Sequence, residues 1–223
     1  MSWVLANLPT IAGHLLAHLL QAVPAILAAF VLSIPIARLA RAARPLRAVL
    51  VTGSSLLYAI PSLALFVILP IILATGIRDP LNVIVALTLY GLALLVPACV
   101  DALDSVDADA VDAAAAMGMG RVRRFLAVEL PLAGPAILAG LRVVTVSTVS
   151  LTTVGAVLGV RSLGFLFTDG FQRGLHSEVL SGLLLTVALA LVLDGLVVGL
   201  GRLLMPWTRR SRGAAQASEE ADA

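Results

Sequence analysis

The sequence predicts an all-α integral membrane protein, a five-helix transmembrane bundle with a helix pair on its cytoplasmic side. Three observations predict it. Of the 223 residues 60% are apolar and 13% charged, with a mean hydropathy of +1.06, more apolar surface than a water-soluble fold of this size can enclose. The apolar runs are continuous rather than alternating with period two, which excludes a porin-like barrel. The arginines gather in every second connection, as loops on one side of a membrane do.

A hydrocarbon core of about 30 Å needs roughly 20 helical residues, and five runs reach that length. The first span, about 15–37, lies in a stretch without Asp, Glu, Lys or Arg that runs from Met1 to Ala37. It has no basic leader and is too long for the h-region of a secretory signal, so it reads as a retained helix. The second span, about 49–76, and the third, about 81–100, are equally free of charge. The fourth, about 132–158, contains Arg142, and the fifth, about 179–204, contains Asp194. Pro24, Pro35, Pro61, Pro70, Pro97 and Pro135 interrupt these spans and predict bends or breaks, with neighbouring helices satisfying the freed carbonyls.

Arg38, Arg41, Arg44 and Arg47 follow the first span, Arg121, Arg123 and Arg124 precede the fourth, and Arg202, Arg209, Arg210 and Arg212 follow the fifth. Arg78, Arg161 and Arg173 lie on the opposite side. The positive-inside rule then predicts an outward N-terminus and a cytoplasmic C-terminus in a multi-pass protein of a prokaryotic plasma (inner) membrane. Residues 1–208 form the membrane domain, and the polar tail 209–223 is expected to lack fixed structure.

Residues 101–131 are too patterned for a loop. Asp104, Asp107, Asp109 and Asp112 precede the run Ala113 to Ala116, as expected of a helix with acids at the positive end of its dipole. Gly118 and Gly120 permit positive φ and stop it. Arg121 to Val128 then resumes as a short basic helix before Pro131 starts the fourth span. An amphipathic hairpin resting on lipid headgroups would share this pattern.

Composition narrows the chemistry. With no Lys, the chain has neither a Walker A loop nor a Schiff-base lysine. Cys99 is alone, and His14, His18 and His176 lack the partners of a metal site; the His14/His18 pair at i,i+4 has no third ligand. There is no G-x-S-x-G elbow. The reading is therefore a non-enzymatic protein without catalytic residues, metal or cofactor of its own.

Asp112-Ala113-Ala114, then Gly118, then Val128, then Leu130-Pro131 resembles the E-A-A, G, I, L-P loop of ABC-type import permeases, with Asp for Glu and Val for Ile. Ile60-Pro61-Ser62-Leu63-Ala64-Leu65, Gly118-Met119-Gly120, Val128-Glu129-Leu130-Pro131-Leu132-Ala133 and Ala139-Gly140-Leu141-Arg142 resemble the permeases of glycine betaine, carnitine and choline importers, from about residue 31 to 174. Gly159-Val160-Arg161-Ser162-Leu163-Gly164 departs from them where a nearly all-glycine turn is usual. The resemblance implies a type I importer permease fold of the methionine-permease kind. It also implies that Asp112, Ala113, Ala114, Gly118, Val128, Glu129, Leu130 and Pro131 form the coupling element for a separate ABC ATP-binding subunit, which would hold ATP and Mg. A second permease subunit, identical or paralogous, an extracytoplasmic solute-binding protein and membrane lipid are the other implied partners; nucleic acid is not one. The solute implied is an osmoprotectant such as glycine betaine, choline or carnitine. An importer for another small solute such as methionine, and an ATP-independent channel, are the rival readings.

Arg142 and Asp194 fall at matching depth, roughly 16 Å from one membrane edge, and opposite charges there are expected to form an intramembrane ion pair. Thr145, Thr148 and Thr152 share a helix face that serves either close packing or a polar path, with Tyr58, Pro61 and Ser62 as the facing wall. Only ten aromatic residues are present, too few for an evident aromatic cage, which places selectivity in the binding protein.

Overall fold

The computed structural model describes residues 7–207, all of whose regular structure is helical. The tail 209–223, with Arg209, Arg210 and Arg212, lies outside the described residues. Helix α1, Leu8–Ala42, runs without interruption through Pro24 and Pro35. At about 1.5 Å per residue it is roughly 50 Å long, more than a bilayer core requires.

The second apolar run is broken. Helix α2, Arg44–Ala59, and helix α3, Ser62–Leu73, meet at 106°. Ile60 adopts φ −67, ψ 128, the extended conformation that a following proline ring imposes. The carbonyl freed there is satisfied from another helix: the Tyr90 hydroxyl donates to Ile60 O at 2.6 Å. Tyr58 meets Tyr90 edge to face, with centroids 5.9 Å apart, and braces the bend. Pro70, Pro97 and Pro135 lie within helices that continue past them. The described residues thus hold four helices able to cross a membrane, or five spans if α2 and α3 count as one.

Helix α4, Pro80–Asp104, begins at Asp79, whose carboxylate accepts from Leu81 N at 2.9 Å as an N-cap. It forms the centre of the bundle. Its lower half, Leu95, Cys99, Val100 and Leu103, packs with Ala29, Ala37 and Ala40 of α1 and with Phe125, Ile137 and Val144. Its upper half, Val83, Leu87 and Tyr90, packs with Ala25, Phe66 and Val160. The approach of α1 to α4 is so close that a Cβ on Gly91 would sit 2.6 Å from Ala29 Cβ.

Helix α5, Ala108–Ala116, leads through a turn to α6, Arg121–Arg124. The basic helix and the fourth span are not separated as the sequence suggested. A π-helical turn, Phe125–Glu129, joins α6 to α7, Leu130–Thr152, which ends in a 3₁₀ stretch, Thr153–Leu158. Leu130 N–H bonds to Phe125 O, five residues back, and this wider turn accommodates the Pro131 ring and its missing donor without a break. Two further helices, α8, Phe165–Gln172, and α9, His176–Leu204, complete the bundle.

Candidate coupling segment and translocation site

The excursion between α4 and α7 is built by local chemistry. Asp107 caps α5 by accepting from Asp109 N at 2.9 Å. Its other end is a Schellman turn: Gly118 N bonds Ala115 O at 2.9 Å, Met119 N bonds Ala114 O at 3.2 Å, and Gly118 has φ +82. Gly120, expected to share that freedom, has φ −63 and serves as the N-cap of α6. Asp104 does not belong to α5 either; it closes α4, where its carboxylate takes Arg41 Nε at 2.9 Å and also pairs with Arg47.

The eight residues of the coupling motif divide into two groups. Asp112, Ala113 and Gly118 are exposed, next to exposed Met117 and Val122, while Ala114 is buried beneath them. This tip is an uncovered surface combining a carboxylate with apolar groups. Val128, Leu130 and Pro131 are half-buried and Glu129 is buried, so they form the base. Glu129 receives Arg41 Nη1 at 2.8 Å and has Arg124 Nε at 3.5 Å, while the Arg38 guanidinium lies 4.3 Å above the Phe125 ring. Arg41 therefore joins the end of α1 to both sides of the excursion. The sequence signalled Arg38, Arg41 and Arg47 only as part of the basic excess that sets orientation.

Arg142 and Asp194 meet in a two-pronged contact, Nε to Oδ1 and Nη2 to Oδ2, both at 2.8 Å, tying α7 to α9. Arg142 is 48% exposed, so the pair lies on the flank of the bundle rather than in its core. Thr145, Thr148 and Thr152 are buried. Thr145 donates to Leu141 O at 2.8 Å and Thr152 to Thr148 O at 2.7 Å, so two of the three hydroxyls serve their own helix. Tyr58 and Pro61 are exposed and Ser62 is half-buried at the α2–α3 break. The structure does not bring the threonines to an open surface with them. Among the described residues no cluster of His, Cys, Asp and Glu is able to hold a metal.

The family model described as the binding-protein-dependent transport system inner membrane component matches residues 29–210. The chain belongs to that family. It is a permease, a membrane subunit of a transport system rather than an enzyme. It is 30% identical over 207 residues to the osmoprotectant import permease protein OsmW of Salmonella typhimurium (strain LT2), covering 92% of this chain and 96% of that one. It is 29% identical over 198 residues to the choline transport system permease protein OpuBD of Bacillus subtilis (strain 168), covering 88% and 86%. A match of 36% identity to the ergothioneine transport permease/ergothioneine binding protein of Helicobacter pylori (strain G27) covers 59% of this chain and 23% of that longer protein. Its fold is that of the MetNI methionine ABC transporter solved in inward-facing conformations, with a TM-score of 0.71, 20% identity and coverage of 88% and 94%.

Proposed function

We propose that this permease is the membrane-spanning subunit through which an ATP-driven importer passes small osmoprotectants, quaternary ammonium solutes such as glycine betaine, choline or carnitine. The observation that carries the reading is the α5–α6 excursion: a capped helix, a glycine turn and a second helix hold the Asp112-to-Gly118 surface clear of the bundle. The osmoprotectant and choline permeases that align along most of the chain supply the solute class.

In this reading the arginine-rich end faces the cytoplasm, the N-terminus lies outside, and the excursion docks into an ABC ATP-binding subunit that holds ATP and Mg. A second permease subunit, identical or paralogous, completes the path, and an extracytoplasmic binding protein delivers the solute. Asp112, Ala113 and Gly118 touch the ATPase. Val128, Leu130, Pro131 and Glu129, the last gripped by Arg41 and Arg124, pass its movement to α1 and α7. We assign the path to the α2–α3 break, with Tyr58, Pro61 and Ser62 at its wall, and we assign Thr145, Thr148 and Thr152, buried as they are, to packing near it. Selectivity then rests chiefly on the binding protein.

The test is uptake of labelled glycine betaine by liposomes holding the permease, its ATP-binding subunit and its binding protein. Uptake is expected to require ATP and to be lost in Gly118→Val, because a β-branched residue at φ +82 distorts the turn. Glycine betaine flux without ATP, or ATP-driven methionine uptake with none of glycine betaine, would overturn the assignment.

A further inference from the structure

A cavity of about 870 Å³ lies at the end of the bundle remote from the coupling segment. His14 in its wall and Arg41 at the coupling base are separated along α1 by roughly 40 Å. The volume is in the range of about 300 to 1,000 Å³ typical of small-molecule sites.

Its wall combines cationic, aromatic and acidic groups. Arg78 and Arg161 both line it, and neither has an acidic partner among the described residues. Arg161 is carried on a rigid turn: the buried Gln21 side chain donates to Arg161 O at 2.6 Å, and Gly159 just before it has φ +79. Arg78 lies across that same turn, so close that a Cβ on Gly159 would come 3.0 Å from its Nε. Arg78 and Arg161 thus both line the wall, and the Arg161 charge also lies close to His14. In the same wall His14 and Phe165 stack at 4.6 Å with 9° between planes, and His14 Nδ1 is buried without a hydrogen bond. Phe165 is exposed and Asp169, which also holds Arg173 at 3.0 Å, lines the cavity beside it.

We propose that this cavity binds a small zwitterion, its carboxylate on Arg78 and Arg161 and its quaternary ammonium against the Phe165 ring and Asp169. Guanidinium forks match a carboxylate, and a ring face with a nearby carboxylate matches a cation that donates no hydrogen bond. The proposal rests on the osmoprotectant reading and narrows it. Glycine betaine and carnitine satisfy both kinds of group in the wall, whereas choline, lacking a carboxylate, leaves two cations without a counter-charge.

The test is equilibrium binding of labelled glycine betaine and labelled choline to the full chain with its ATP-binding subunit in lipid nanodiscs, with no binding protein or nucleotide. Saturable glycine betaine binding is expected, at least about tenfold tighter than choline. Arg161→Gln and Arg78→Gln are each expected to weaken glycine betaine about tenfold while leaving choline unchanged or tighter; Arg161→Lys retains part of the affinity. Phe165→Leu is expected to weaken both solutes roughly threefold. The site is overturned if neither solute binds saturably, if choline binds as tightly as glycine betaine, or if both arginine variants bind glycine betaine like the parent. ATP-driven uptake by the same preparation with binding protein added reports separately on the transport reading, so the two fail independently.

Discussion

Helices α4 and α9 have the same mean hydropathy, 2.5 over their most apolar stretch, yet 56% of that stretch is buried in α4 and only 11% in α9. Hydropathy measures the preference for leaving water, and a lipid chain satisfies that preference as well as a protein core does. What separates the two helices is shape and polarity. Helix α4 presents Ala86, Gly91 and Ala93 where neighbours approach, and Asn82 and Tyr90 where polar groups of other segments need partners. Helix α9 turns Leu184, Val187, Leu191, Leu196 and Leu200 outward and touches the bundle at Gly182, Thr186, Leu189 and Gly201. Among the described residues its salt bridge is Asp194 to Arg142, and the buried Glu178 lies against Asp169 of α8.

The contrast is open to direct attack. The largest effect is expected at its tightest point: Gly91→Leu drives side-chain atoms into Ala29 and is expected to cost about 3 kcal/mol or more. Loss of the monodisperse peak in detergent chromatography checks it, and a well-folded Gly91→Leu would mean that α4 is not the packed centre. Next comes Arg142→Leu, which strands the Asp194 carboxylate on α9. A lowered melting temperature is expected, largely restored when Asp194→Leu is added. A double variant no better than the single would show that the pair does not act as a unit.

Tyr90→Phe removes only the hydroxyl that satisfies Ile60 O. It is expected to cost about 1 to 2 kcal/mol and to loosen the α2–α3 bend, read as faster protease cleavage near residue 60. The smallest effect belongs to the outward face of α9, where Leu184→Ala and Leu191→Ala are expected to change thermal stability by no more than about 0.5 kcal/mol. A large loss at either position in the assembled transporter, but not in the isolated chain, would identify a protein rather than lipid as its cover.

The sites differ in legibility for similar reasons. The turn at Gly118 was readable because it answers to bonds within five residues of itself. The match of Arg142 to Asp194 was readable because depth in a membrane follows from counting along two helices. Arg41 was not readable as the clasp of the coupling base, since Glu129 is 88 residues away and nothing local distinguishes Arg41 from Arg44. The π turn before Pro131 escaped as well. A proline after a basic run signals a helix start equally well whether or not the preceding helix continues into it.

The chain on its own settled where the long apolar runs lie, where the excursion turns and which connections carry the basic excess. These properties depend on hydropathy and on hydrogen bonds a few residues long. Only the folded bundle decided that α4 is enclosed and α9 is not, that Tyr90 satisfies a carbonyl 30 residues earlier, and that Thr145, Thr148 and Thr152 turn inward. It also brought Arg78 beside the turn of Arg161. Each of these depends on which surface reaches which, and close packing fixes that among segments far apart in the chain.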